Sequence, residues 1–236
     1  MKKIRIIGVA LFLMQQAMGQ NIDGDALNKA LIKDSLGDFK AAVELFSGAI
    51  ITQPNNAEIY FYRGNAFFSL KKYQDAITDY DAVLKIKPDY KEAINNKANA
   101  FYELKKYKEA IIYFDKTIQL DSKNSFTFYD RANAWFKLQD YKKSLEDFNN
   151  SINLKADFPD AFYDRGNVYF VKQNYLEAIN NYDKAIELAA NRSEFYFNRA
   201  MAEFSLGFFE DGCADLNYAN DLGDKEASGY LKELCK

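Results

Sequence analysis

The string Tyr62-Arg63-Gly64-Asn65-Ala66-Phe67-Phe68 returns as Asp130-Arg131-Ala132-Asn133-Ala134-Trp135-Phe136, and 34 residues later as Asp164-Arg165-Gly166-Asn167-Val168-Tyr169-Phe170. A chain that repeats on such a period folds as an array of like units, each too small to close a core alone. Units beginning at residues 23, 57, 91, 125, 159 and 193 stay in register without insertion or deletion, so six repeats occupy 23–56, 57–90, 91–124, 125–158, 159–192 and 193–226. Position 8 of the unit is always small (Ala30, Gly64, Ala98, Ala132, Gly166, Ala200), and so is position 20 (Ala42, Ala76, Ala110, Ser144, Ala178, Gly212). Position 17 is always a ring (Phe39, Tyr73, Tyr107, Tyr141, Tyr175, Phe209), and position 24 is one except at Leu216 (Phe46, Tyr80, Phe114, Phe148, Tyr182).

Apolar residues at positions 4, 8 and 11, then at 17, 20, 21, 24, 27 and 28, follow the three-and-four spacing of two amphipathic helices. Each unit therefore reads as a helical hairpin. Gly37 and Gly207 fall at position 15, where the chain turns, and Pro54, Pro88 and Pro159 all lie between units, where a missing N–H harms no helix. The small residues let the paired helices approach, and the rings fill the space around that contact.

These residues resemble the tetratricopeptide repeat, whose signature has rings near positions 4, 11 and 24, small residues at 8, 20 and 27, and proline at 32. Tyr60, Gly64, Phe67, Ala76, Tyr80 and Pro88 carry the resemblance in one unit, and it extends over residues 23 to about 226. It implies an all-α fold: an α-solenoid of six 34-residue helix-turn-helix repeats plus a C-terminal capping helix at about 224–236. The end units depart from the pattern at Ala26, Lys33, Glu203 and Asn220, as water-facing terminal repeats should.

Position 7, usually leucine in the family, is Lys29, Arg63, Lys97, Arg131, Arg165 and Arg199. In a hairpin turning near position 15 it comes level with position 23, which is Asp79, Asp147 and Asp215 in three of the four arginine units, so ion pairs between the helices are expected. A row of cations awaiting an acidic ligand is the alternative. Carboxylates at position 25 (Asp81, Asp115, Asp183) read as solvated helix surface.

The resemblance implies that positions 2, 5, 6, 9, 12 and 13 of the first helices line a groove that receives a peptide or protein segment. The candidate peptide-binding residues there are Phe61, Asn65, Phe68, Asn96, Asn99, Tyr102, Tyr129, Asn133, Phe136, Tyr163, Asn167 and Phe170. The asparagines at position 9 form a row of groups that both donate and accept, suited to the main chain of an extended peptide. The position-12 rings either face the groove or pack between repeats. Position 2 is mostly acidic (Glu58, Glu92, Asp160, Glu194), and positions 5 and 6 hold no Lys or Arg, so the family's carboxylate clamp is absent.

Residues 1–19 read as a secretory leader: Lys2, Lys3 and Arg5, an uncharged run from Ile6 to Met14, and Ala17-Met18-Gly19 before a cut at Gln20. The apolar run is too short to span a bilayer, and the remainder, 20–236, is expected to be secreted or periplasmic with no membrane insertion after cleavage. Lys plus Arg number 31 against 34 Asp plus Glu, leaving no cationic field for nucleic acid. With no histidine and no carboxylate pair out of register, neither an enzyme, a metal site nor a cofactor is expected. The favoured reading is an extracytoplasmic protein-binding scaffold; a glycan-binding solenoid and a self-associating spacer are the alternatives, with partner identity and oligomeric state open.

The two cysteines, Cys213 and Cys235, would meet an oxidising compartment in an exported chain. Cys213 is at position 21 of the last unit and faces whatever follows. A capping helix starting near Asp224 after Gly223 would bury Ala227, Tyr230, Leu231 and Leu234. About the turn at Gly223 the two cysteines come level, so a disulfide stapling the cap to the last repeat is expected.

Overall fold

A computed structural model describes residues 22–235, so the leader expected at 1–19 lies outside the described residues. The chain divides into two compact units meeting at Leu120 and Asp121. In the first unit, α1 (Ile22–Ser35) pairs with α2 (Phe39–Thr52), α3 (Ala57–Ser69) with α4 (Tyr73–Ile86), and α5 (Lys91–Glu103) with α6 (Tyr107–Leu120). In the second, α7 (Ser125–Lys137) pairs with α8 (Tyr141–Leu154), α9 (Pro159–Val171) with α10 (Tyr175–Leu188), and α11 (Ser193–Leu206) with α12 (Phe209–Asp221). The cap, α13 (Lys225–Leu234), packs on α12. No strand occurs among the described residues. The fold is an all-α array of six helical hairpins closed by a C-terminal helix.

One turn design closes all six hairpins. Position 15 has a left-handed backbone in every unit: Gly37 at φ +78°, Lys71, Lys105 and Gln173 at +60°, Gln139 at +62° and Gly207 at +82°. The amide of position 16 then returns to the carbonyl of position 11, as from Asp38 to Lys33 and from Asp140 to Trp135, at 2.9 and 3.0 Å. This is the 6→1 bond of a Schellman stop, which satisfies a carbonyl the helix leaves open. Sequence reading finds this conformation only where glycine marks it, and four units reach it with a side chain in place. Gln139→Gly is therefore expected to stabilise the protein by about 0.5–1 kcal/mol. A rise in the urea midpoint checks this, with Gly207→Ala moving it the other way.

The hairpin interiors follow the small–large pattern. Ala30, Ala42, Ala76, Ala98, Ala110, Ala132, Ala178 and Ala200 are fully buried, as are Phe46, Tyr80, Phe114, Phe148 and Leu216. Position 8 is glycine only where position 24 is tyrosine. A Cβ at Gly64 would lie 2.8 Å from Cε1 of Tyr80, and one at Gly166 would lie 2.6 Å from Cε1 of Tyr182. Each tyrosine crosses the glycine to donate its hydroxyl to Oδ1 of the adjoining asparagine, Tyr80 to Asn65 at 2.8 Å and Tyr182 to Asn167 at 2.9 Å. Where position 24 is Phe or Leu that reach is not needed, and alanine fits.

Cys213 and Cys235 are bonded, with their Cα atoms 5.7 Å apart. The cap they tie down is thinner than its sequence implies. Ala227 is the one fully buried residue of α13, whereas Tyr230 and Leu234 are 40% and 43% exposed, which corrects the expectation that both are buried. The reason is register: Asp224 caps α13 by accepting from the amides of Glu226 and Ala227, so the helix begins at Lys225, two residues ahead of where a seventh repeat would start. Tyr230 meets the ring of Phe197 edge-on at 5.5 Å.

Candidate functional site

The cations at position 7 are the interior feature nearest the candidate face. Arg63 donates from Nε and Nη2 to the two carboxylate oxygens of Asp79, at 2.8 and 2.7 Å, and Arg131 does the same to Asp147 at 2.7 Å for both bonds. Arg199 engages Asp215 in the same fork. These are the pairs that the spacing predicts. A further corner of three of these guanidinium groups turns to position 25 of the preceding hairpin: Arg63 to Ser47 at 3.0 Å, Arg165 to Asn149 at 2.7 Å, and Arg199 to Asp183. Lys97 likewise contacts Asp81 as well as the hydroxyl of Tyr113. Asp81 and Asp183 are solvated, at 57% and 40% exposed, and are joints between hairpins as well; sequence spacing within one unit misses a partner that the neighbouring unit supplies. Arg165 meets only neutral amides, Asn181 at 2.7 Å and Asn149, and burial pulls its guanidinium below the ordinary range. With their cations committed inside, these positions do not form a row facing an acidic ligand.

In the first unit α1 touches α3 and α3 touches α5; in the second α7 touches α9 and α9 touches α11. First helices thus adjoin along one face of each unit, and the candidate residues lie on it. Position-12 rings are half-buried there, each packed against the position-17 ring of its own hairpin: Phe68 on Tyr73 at 5.2 Å, Tyr102 on Tyr107 at 5.3 Å, Phe136 on Tyr141 at 5.8 Å and Phe170 on Tyr175 at 5.4 Å. They are neither fully presented nor fully withdrawn between repeats. Position-5 rings go deeper. Phe61 lies 5.1 Å from Tyr90, Tyr163 lies 4.8 Å from Phe195, and Tyr129, only 6% exposed, lies 4.8 Å from Phe158. Each seals the junction to the next hairpin.

The amides are also partly committed. Oδ1 of Asn65 accepts from Tyr80 and from Nδ2 of Asn96 in the following hairpin, at 2.8 Å each. Oδ1 of Asn167 accepts from Tyr182 and from Nδ2 of Asn198, at 2.9 Å each. Two donors on one oxygen fix the orientation of the amide, so Asn65 offers outward only its Nδ2 donor, which has no partner among the described residues. Asn133 bonds back to the carbonyl of Tyr129 at 3.1 Å, and Asn99, opposite Phe114, is half-buried. The Tyr129 hydroxyl donates to Asp164 in the next hairpin, and burial raises its pKa. Nδ2 of Asn167 donates to Asp164 at 3.4 Å, so most of the asparagine row serves as structural joint, and Asn65 is the member with a donor left over.

Charge on the face is one-sided in the first unit, with Glu58, Glu92 and Glu103 exposed. Glu58 is bridged by Lys87 at 2.7 Å, and Glu103 accepts from the Tyr73 hydroxyl at 3.4 Å. In the second unit Arg192 sits between Asp160 and Glu194, 3.3 and 2.6 Å away. Among the described residues no three His, Cys, Asp or Glu side chains gather to hold a metal ion, and no helix is long and apolar enough to cross a membrane.

Glu203 replaces the ring that Phe67, Phe101, Trp135 and Tyr169 supply at position 11. It is 8% exposed, its Oε2 is buried without a partner, and its Oε1 is 4.0 Å from Nε of Arg199. Burial first, then Asp215, raises its carboxyl to about 7 against the opposing pull of Arg199, with Asp211 and Asp183 adding to the rise. A folded pKa above the ordinary value of 4.5 contributes stability that is complete below pH 4.5 and lost as pH rises through 7. Glu203→Gln is expected to remove this share of the pH slope and to be more stable than wild type at pH 8 by about 2 kcal/mol. Paired melting curves at pH 5 and pH 8 check it.

Residues 27–91, 92–124 and 159–191 match family descriptions of the tetratricopeptide repeat, and residues 132–173 match one described as a TPR repeat. No curated protein matches the chain. Among solved structures, the chain is similar to MamA residues 41 to the end from Desulfovibrio magneticus RS-1, at 21% identity and TM-score 0.70 over 75% of this chain and 99% of that one. It is similar to YrrB, described as a TPR protein with an unusual peptide-binding site, at 21% identity and TM-score 0.65 over 81% and 100%. It is also similar to pilF of Pseudomonas aeruginosa, at 16% identity and TM-score 0.74 over 89% and 97%. At these identities the likeness is one of fold.

Proposed function

The chain belongs to the tetratricopeptide repeat family, and on that premise we propose that it is an extracytoplasmic scaffold whose first-helix face takes a segment of a partner protein. The observation that carries this reading is the donor left over at Asn65, whose oxygen is used twice internally while its Nδ2 has no acceptor, on a face where the rings of Phe68 and Tyr102 stay half-buried. Main-chain carbonyls of an extended segment are the natural acceptors for such a group. YrrB, with its peptide-binding site, supports use of this fold for a peptide. The cationic, apolar and small-residue order of positions 1–19 supports export, as does a chain whose two cysteines are bonded.

A photo-crosslinking residue in place of Tyr102, on the proposed face, is expected to trap a protein in living cells. One in place of Ile112, 54% exposed on α6, is not. Equal trapping at both positions, or trapping at Ile112 alone, would count against this face. N-terminal sequencing of the purified protein is expected to begin at Gln20, and a chain beginning at Met1 would refute export through this leader.

A further inference from the structure

In the first unit, positions 2, 5, 6, 9, 12 and 13 of α1, α3 and α5 include Asp34, Glu58, Glu92 and Glu103 and not one lysine or arginine. The position-7 cations of α3 and α5 are engaged away from these positions, Arg63 by Asp79 within its hairpin and Lys97 by Asp81 of the hairpin before, and Lys33 pairs with Asp38. Lys87, from the connection after α4, bridges Glu58, and exposed Glu92 has no ionic partner among the described residues. Two further features bear on the occupant independently of charge. Phe68 and Tyr102 recur at one position of successive hairpins and keep part of their rings uncovered, a surface on which the stem of lysine or the plane of arginine packs. The Nδ2 of Asn65, 96% buried with its residue, lacks an acceptor.

We infer that this face binds an extended polypeptide segment bearing lysine or arginine side chains. This rests on the proposed scaffold function and specifies its partner. The segment's carbonyls answer the amide donor, its cations answer the exposed carboxylates of the face, Glu92 foremost, and their stems cover the rings. Contacting helices lie about 8–10 Å apart, and a polyproline-II chain advances about 9 Å per three-residue turn, so a cation at every third residue meets successive hairpins from one side.

The test uses the full chain and two fluorescein-labelled peptides of four triplets each, Lys-Pro-Ala or Glu-Pro-Ala, followed by anisotropy. The lysine peptide is expected to bind at least about tenfold tighter than the glutamate peptide, and to weaken between about 50 and about 300 mM salt. Glu58→Gln with Glu92→Gln and Glu103→Gln is expected to weaken it about tenfold, whereas Glu44→Gln with Asp75→Asn and Glu109→Gln, an equal charge change on the second helices, shifts it less than about twofold. Equal weakening by both triple variants would mean diffuse attraction to an acidic protein and would overturn the inference. So would absence of binding, or preference for the glutamate peptide. In each of those cases the Tyr102 crosslink still decides whether the face binds protein, so the two readings fail separately.

Discussion

Arg63→Met is expected to destabilise the protein by about 3 kcal/mol at pH 7, because it leaves a carboxylate in the interior without its cation. Asp79 is 2% exposed, and both its oxygens are held by the one guanidinium. Burial pushes the Asp79 carboxyl up and Arg63 pulls it back, so without the arginine the group stays above its ordinary value. The deficit is therefore greatest at neutral pH and shrinks as pH falls and Asp79 protonates. Asp79→Asn is expected to cost far less, about 1 kcal/mol, since an amide oxygen still accepts from arginine. The chain contains that arrangement already, at Arg165 and Asn181. Urea unfolding at pH 7 and pH 5 reads all of this; equal losses for Arg63→Met and Asp79→Asn would show that the pair contributes through packing and not charge.

Cys213→Ser with Cys235→Ser is expected to remove about 3 kcal/mol from the stability of the C-terminal end, the chain-entropy value for a loop of this size. The loss is local, because hairpins in an array communicate only through neighbours. With Ala227 alone fully buried, α13 has little packing of its own to fall back on. Amide exchange in α13 should therefore speed up roughly 100-fold while that in α3 to α5 is unchanged. Unchanged exchange in α13 would mean that the helix is held by Ala227, Leu231 and the Asp224 cap without the staple.

Period, hairpin content, the pairing of positions 7 and 23, and the staple are all legible in the sequence because each depends on spacing within one unit or on a repeated contrast of size. What escaped were features made by two units together. Asp81 looks like solvated surface alone until the next hairpin brings Lys97 to it, and Asn65 looks bifunctional until Tyr80 and Asn96 both claim its oxygen. The left-handed turn at Lys71, Lys105, Gln139 and Gln173 escaped for a different reason: the Schellman bonds outweigh a side-chain penalty that propensity counts against it. On the candidate face, the residue types were legible but their depth was not. Tyr129 and Phe68 carry similar rings at groove positions 5 and 12, and only packing shows that the first seals a junction while the second stays half open.

The shared oxygen of Asn65 also means that these hairpins are not interchangeable modules. A unit with Gly64 and Tyr80 must be followed by one that donates at position 6, and Asn96 does. Excision of residues 91–124 would bring Asp130 to that place, an acceptor set against an acceptor. Arg63 looks backward in the same manner, to Ser47 of the unit before it. The succession of repeats is thus written into their joints, so that a lineage growing by duplication would have to alter matching residues on both sides of every new seam before the added unit could seat.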